Sequence, residues 1–102
     1  MESGKTDDAG EYPLRTAIAL ELIVREQMEC APSLDEIIRA FSRNYAPRAI
    51  RNEVTQMVNL SICFQGCDKG YRISRDDRRL YSAKLASWKE KRGKLLRIEA
   101  TT

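Results

Sequence analysis

Residues 33–59 read SLDEIIRAFSRNYAPRAIRNEVTQMVN, which is two amphipathic segments separated by a short polar break. Ser33, followed three residues later by Glu36, forms a capping box, and this pattern predicts the start of a helix. The helix is expected to end near Ser42 or Arg43. Its predicted apolar face consists of Leu34, Ile37, Ile38 and Phe41.

A second helix is predicted from Pro47 to about Asn59, with Asn44 as its candidate N-cap. At roughly 100° per residue, Ile50, Val54 and Met57 fall on one side and predict the buried seam. The polar residues that lie opposite this seam or flank it are Arg48, Arg51, Asn52, Thr55, Gln56 and Asn59. This outer face carries no carboxylate, because Glu53 lies nearer the edge of the seam. Arg, Asn, Thr and Gln are residue types that hydrogen-bond base edges and phosphates, so the face is a candidate nucleic-acid reader.

A further helix is predicted to begin near Pro13, on the amino-terminal side. Its apolar residues occupy more than one face, with Leu14, Ile18 and Leu22 on one side and Leu20 and Ile23 towards the other. Such a helix is either central to the fold or also part of a subunit contact. The preceding residues 1–11 are polar and without apolar periodicity, so they are predicted to be a disordered tail.

A β-hairpin is predicted on the carboxyl-terminal side. Residues 61–65 alternate as a strand with Ile62 and Phe64 on one face, residues 66–70 read GCDKG and suit a hairpin loop, and residues 71–74 return. Cys63 is expected to pack within the strand and Cys67 to be an exposed loop thiol. Their spacing does not fit a zinc knuckle and the chain has no histidine, so we expect no metal and no cofactor.

The last predicted helix runs from about Arg75 to Arg92 or beyond, with Ser74 as N-cap and Asp77 as a loose capping-box partner. Gly93 predicts fraying or a bend near the end of this helix. An apolar seam at spacings of four, three and seven residues consists of Tyr81, Leu85, Trp88 and Leu95. The seam is either a dimer contact or core packing against the first helix.

Composition limits the classes of protein that remain. The 102 residues allow one domain, and the absence of histidine excludes Ser-His and Cys-His catalysis, so we do not expect an enzyme. Neither a signal-like start nor a membrane-spanning apolar run is evident, and three cysteines suit a reducing compartment, which predicts a cytoplasmic location. Residues 1–38 carry three basic and nine acidic side chains, whereas residues 39–102 carry fifteen basic and six acidic ones. This asymmetry favours a polyanionic partner.

The predicted order of helix, helix, turn, helix and hairpin resembles that of winged helix-turn-helix domains. The predicted fold is therefore mainly α with a small β-hairpin (α+β), in which residues 12–74 form the domain and residues 75–102 a C-terminal helix, a possible dimerisation element. The return strand followed by a basic helix is similar to small regulators of phages and prophages. The turn departs from the family pattern, because it lacks the glycine often found between the two helices.

The resemblance implies that residues 47–59 enter the major groove of double-stranded DNA and that the hairpin contacts the backbone. The residues it implies as DNA contacts are Arg43, Asn44, Arg48, Arg51, Asn52, Thr55, Gln56, Lys69 and Arg72, with Arg39 on a phosphate. The protein would be a sequence-specific transcriptional regulator acting as a homodimer. Two alternatives stay open, a phage-type replication or recombination accessory protein and a protein–protein interaction module.

Overall fold

The computed structural model describes residues 12–96, and the predicted tail at residues 1–11 and the end of the chain at residues 97–102 lie outside this range. The elements in chain order are α1 (Leu14–Gln27), α2 (Leu34–Phe41), α3 (Pro47–Asn59), β1 (Cys63–Gln65), β2 (Tyr71–Ile73) and α4 (Arg75–Leu95). The two strands pair antiparallel, with Cys63 opposite Ile73. The described part of the chain is therefore mainly helical with a small hairpin, which confirms the predicted α+β class.

Helix α1 lies at the centre of the molecule. Every residue from Ala17 to Val24 is buried, because α4, α3 and β2 all pack around this helix. The prediction that α1 is buried on more than one face is confirmed. Its second apolar side is covered by the chain's own elements, so a second subunit is not needed to bury it.

Glu21 in the middle of α1 is a carboxylate with only 2% of its surface exposed. Trp88 Nε1 and Arg92 Nε both donate to Glu21 Oε1, at 3.0 and 2.7 Å. Arg25 Nε donates to Glu21 Oε2 at 2.6 Å, and Arg92 Nη2 reaches the same oxygen at 2.5 Å. A buried carboxylate is tolerated only when it is paired in this way. The hydrogen bonding between Arg92 and Glu21 also raises the pKa of the Arg92 guanidinium. The cluster therefore ties α4 to α1.

Trp88 belongs to the core of its own chain. It is 1% exposed, meets the Tyr12 ring edge-on at 5.2 Å between centroids, and stacks on Phe41 at 6.4 Å. Leu95 is also buried, at 8% exposed. The predicted dimer contact is therefore wrong for Trp88 and Leu95, since neither has surface to offer a second subunit. Tyr81 and Leu85 are partly buried against the same core.

Helix α4 continues through Gly93 to Leu95, so the expected fraying near Gly93 is not observed. The buried side chains of Leu95 and Leu96 hold the end of the helix against the core. Packing of these two residues therefore outweighs the cost of glycine in a helix, which is about 1 kcal/mol.

The predicted capping box of α2 is confirmed. Glu36 N donates to Ser33 Oγ at 3.3 Å, and Ser33 N donates to Glu36 Oε1 at 2.9 Å. The prediction that Asn44 caps α3 is wrong, because Ala46 is the N-cap and makes no side-chain cap bond. At the start of α4, Ser74 Oγ pairs with the Asp77 carboxylate, and Ser74 makes no side-chain bond to the helix backbone.

The hairpin packs against the linker between α1 and α2. Tyr71 N donates to Pro32 O at 2.8 Å, and a Cβ atom on Gly70 would lie 2.7 Å from Ala31 O, so this position requires glycine. Cys63 is the buried residue of β1, whereas Phe64 is 49% exposed. Phe64 thus lies on the outer face of the hairpin, whereas Ile62, predicted on the same face, packs partly buried against the core.

We expect Glu21→Gln to lower the free energy of unfolding by about 3 kcal/mol, because it leaves Arg92 and Arg25 without their buried counter-charge. Urea denaturation followed by circular dichroism measures this difference. The matched control is Glu26→Gln, which removes the half-exposed pair with Arg78 and should cost about 1 kcal/mol or less. Equal small losses in both variants would show that the Glu21 cluster does not hold α4 in place.

Candidate nucleic-acid interface

The outer face of α3 is the largest group of exposed polar side chains that the sequence singled out. Ile50, Val54 and Met57 are buried against the rest of the core, as their spacing predicts. This packing turns the opposite side of α3 to solvent. The predicted contact residues on that side, all of them exposed, are Arg48, Arg51, Asn52, Thr55 and Gln56, and Asn59 is exposed beside them.

The side chains of Arg48, Arg51 and Asn52 make no hydrogen bond or ion pair within the described part of the chain, so their donors are available to a ligand. Thr55 Oγ1 donates to Arg51 O one turn earlier, at 3.0 Å. That bond uses the hydroxyl proton and leaves the oxygen free to accept another hydrogen bond. The centre of the face therefore combines two guanidinium groups, one amide and one hydroxyl.

Glu53, the carboxylate of α3, is held at the edge of this face by Arg15 of α1. Arg15 Nε lies 2.5 Å from Glu53 Oε2, and Arg15 Nη2 donates to Gln56 Oε1 at 3.0 Å. The Glu53 side chain is 20% exposed. The Arg15 charge offsets that of Glu53, so the face that reaches solvent is cationic.

The hairpin loop contributes less positive charge than its sequence suggests. Arg72 binds Asp68 through both guanidinium ends, at 3.1 Å to Oδ1 and 3.0 Å to Oδ2. This pairing lowers the pKa of the Asp68 carboxyl and raises that of Arg72, with the hydrogen bond between them as the main cause. Lys69 is exposed, with a left-handed φ of 68°, and its ammonium group has no partner among the described residues.

Arg43 and Asn44 are engaged at the end of α4. Arg43 Nη1 donates to Lys94 O at 2.7 Å, and Asn44 Nδ2 donates to Leu95 O at 3.1 Å. The last carbonyls of a helix lack partners within the helix, so these two side chains complete the end of α4. Arg43 and Asn44 therefore join the α2–α3 turn to α4, and because both remain exposed, their contact with DNA stays a prediction.

Two important residues were not singled out as functional from the sequence. Arg15 gives no local signal, because its partners lie 38 and 41 residues away. Glu21 does give one, since a single carboxylate within the otherwise apolar run from Ala17 to Val24 requires a buried partner. That requirement predicts that Glu21 has buried partners, but it does not identify them as Trp88 and Arg92.

No helix within residues 12–96 is long and apolar enough to cross a membrane. The same residues contain no group of three or more Cys, Asp or Glu side chains arranged to hold a metal ion. No protein-family model, curated protein or solved structure matches the chain.

We expect Cys63 to resist thiol reagents at pH 8 in the folded protein, because burial, and secondarily the Asp77 charge, raise the pKa of its thiol to about 11. Cys30 and Cys67 are exposed and should react. A titration with an aromatic disulfide reagent should therefore find two reactive thiols in the native chain and three in denaturant. Rapid reaction of all three thiols without denaturant would contradict the packing of β1 on the core.

Proposed function

We propose that the chain is a winged helix-turn-helix protein that binds double-stranded DNA in a sequence-specific manner and acts as a small transcriptional regulator. The observation that carries this proposal is the outer face of α3, where Arg48, Arg51 and Asn52 are exposed and unpartnered while Arg15 offsets the charge of Glu53. A cationic face of hydrogen-bond donors suits both the phosphates and the base edges of a duplex.

The arrangement of the elements supports the same proposal. Helix α3 follows α2 after a five-residue turn and leads directly into the hairpin. The hydrogen bond from Tyr71 to Pro32 O holds the hairpin against the segment that precedes α2. In this reading α3 enters the major groove, and the Lys69 ammonium reaches the phosphate backbone beside it.

Affinity and specificity then come from different residues. Arg48 and Arg51 supply charge that is attracted to phosphates, and this part of the binding weakens as salt rises. Asn52, Thr55 and Gln56 supply base contacts, each good bidentate contact being worth about 1–3 kcal/mol of discrimination. The chain would carry no catalytic group and need no cofactor in this role.

Pairing of two copies stays a prediction. Because Trp88 and Leu95 are buried, another part of the α4 surface would have to form the contact. Leu80 is 72% exposed, whereas Tyr81 and Leu85 are partly buried against the core. We propose a cytoplasmic location, which is supported by the free thiols of Cys30 and Cys67 at the surface.

A protein-docking role is the second candidate function. Val58 and Leu60 at the end of α3 and Phe64 in β1 are all exposed, at 39%, 59% and 49%. Three exposed apolar side chains on adjoining elements suit a protein partner better than a phosphate backbone. Under this reading the cationic face of α3 would meet an acidic partner.

Fluorescence anisotropy of a mixed-sequence duplex over a salt series tests the proposal. Arg48→Ala/Arg51→Ala should weaken binding by about tenfold or more and reduce the slope of log Kd against log salt by about 1.8. The reason for the weaker binding is the loss of two phosphate contacts. Both side chains are exposed, so their removal should not change the fold.

The control Arg79→Ala/Lys89→Ala removes the same charge from exposed positions on α4, and Arg79 lies opposite the buried Trp88 on that helix. Its affinity should stay within about twofold of wild type, since only the general field of the protein changes. Absence of binding at low salt would reject DNA binding and favour the docking role. An equal loss in both double variants would reject α3 as the reading element.

A further inference from the structure

Arg15 contacts α3 at two residues with one guanidinium group. Its Nε lies 2.5 Å from Glu53 Oε2, and its Nη2 donates to Gln56 Oε1 at 3.0 Å. Because the guanidinium is planar and its donors form a rigid fork, the two contacts fix each other's geometry. The Gln56 side chain is thereby held in one orientation at the edge of the exposed face.

The identity of the Gln56 atom that faces Arg15 follows from chemistry. Arginine has donors only, so the amide atom that meets its Nη2 must be the carbonyl oxygen. The amide nitrogen of Gln56, which carries two N–H donors, is then directed away from Arg15. Gln56 therefore presents its two N–H donors to a ligand, and Arg15 engages one of the two lone pairs of its only acceptor atom.

We propose that Arg15 sets the base preference of α3 by holding Gln56 as a hydrogen-bond donor, so that Gln56 selects guanine. This inference rests on the proposed DNA-binding function. A free Gln side chain suits adenine, because it accepts from adenine N6 while it donates to N7. Guanine offers only acceptors at O6 and N7 in the major groove, which matches a side chain that presents N–H donors while its oxygen already accepts from Arg15.

A direct contact between Arg15 and a phosphate has a different consequence. The Arg15 side chain is 36% exposed, so a duplex could reach it. A phosphate contact adds affinity for every sequence and leaves the base preference unchanged. The base preference therefore separates positioning of Gln56 from attraction of the backbone.

The decisive variant is Arg15→Lys, which keeps the charge but replaces the rigid fork with a single ammonium that cannot hold both partners in that geometry. The preferred duplex is first selected from a randomised library with the wild-type protein. The affinity of each variant is then measured for that duplex and for the three forms that carry the other bases at the position where Gln56→Ala loses discrimination. Arg79→Lys, the same exchange on the outer face of α4, is the matched control.

We expect the wild type to prefer guanine over adenine at that position by about tenfold, and Arg15→Lys to reduce the preference to about threefold or less. The loss in Arg15→Lys should be confined to that base position, and Arg15→Lys/Gln56→Ala should discriminate no less than Gln56→Ala. Thermal denaturation confirms that each variant is folded.

Three results would overturn the inference while DNA binding stands. These are a preference for a base other than guanine at the Gln56 position, a guanine preference that survives Arg15→Lys, and an equal loss of affinity for all sequences in Arg15→Lys. Failure of the wild type to bind any duplex at low salt is a different result, because it rejects the proposed function itself.

Discussion

The buried carboxylate of Glu21 is the constraint on which the arrangement of the helices depends. It accepts hydrogen bonds from Trp88 and Arg92 of α4 and from Arg25 of its own helix. An unpaired charge in that position would cost several kcal/mol, so the folded chain must bring α4 to α1 in one register. Apolar packing alone tolerates small shifts between helices, whereas these hydrogen bonds do not.

Helix α1 also connects this core to the exposed face of α3. Glu21 holds α4 on one side of α1, and Arg15, nearly two turns earlier, reaches Glu53 and Gln56 of α3. The position of α1 therefore determines both the packing of the C-terminal helix and the charge of the candidate interface. Arg43 and Asn44 close the arrangement, because they join the turn before α3 to the end of α4.

The parts of the fold that depend on near neighbours were predictable from the sequence. The capping box of Ser33 and Glu36 and the seam of Ile50, Val54 and Met57 are local patterns, and the structure contains both. Cys63 and Cys67 are buried and exposed as expected. The burial of Trp88 and Leu95 and the hydrogen bonds of Arg43 and Asn44 to the end of α4 depend on contacts between residues far apart in the chain, which periodicity does not encode. A short-range contact can be missed as well. The sequence predicts that the charge of Arg72 is available to DNA, whereas in the structure Arg72 is paired with Asp68.

Under the proposed function, α3 is the element that meets DNA. The most direct measurement is a ¹H–¹⁵N correlation NMR titration of the chain with its selected duplex, which reports every backbone amide separately. We predict that the largest shift changes fall on α3 from Arg48 to Asn59 and on the hairpin loop around Lys69, with the outer face of α4 unchanged. Shift changes confined to α4, or to the exposed apolar residues Leu60 and Phe64, would contradict the account.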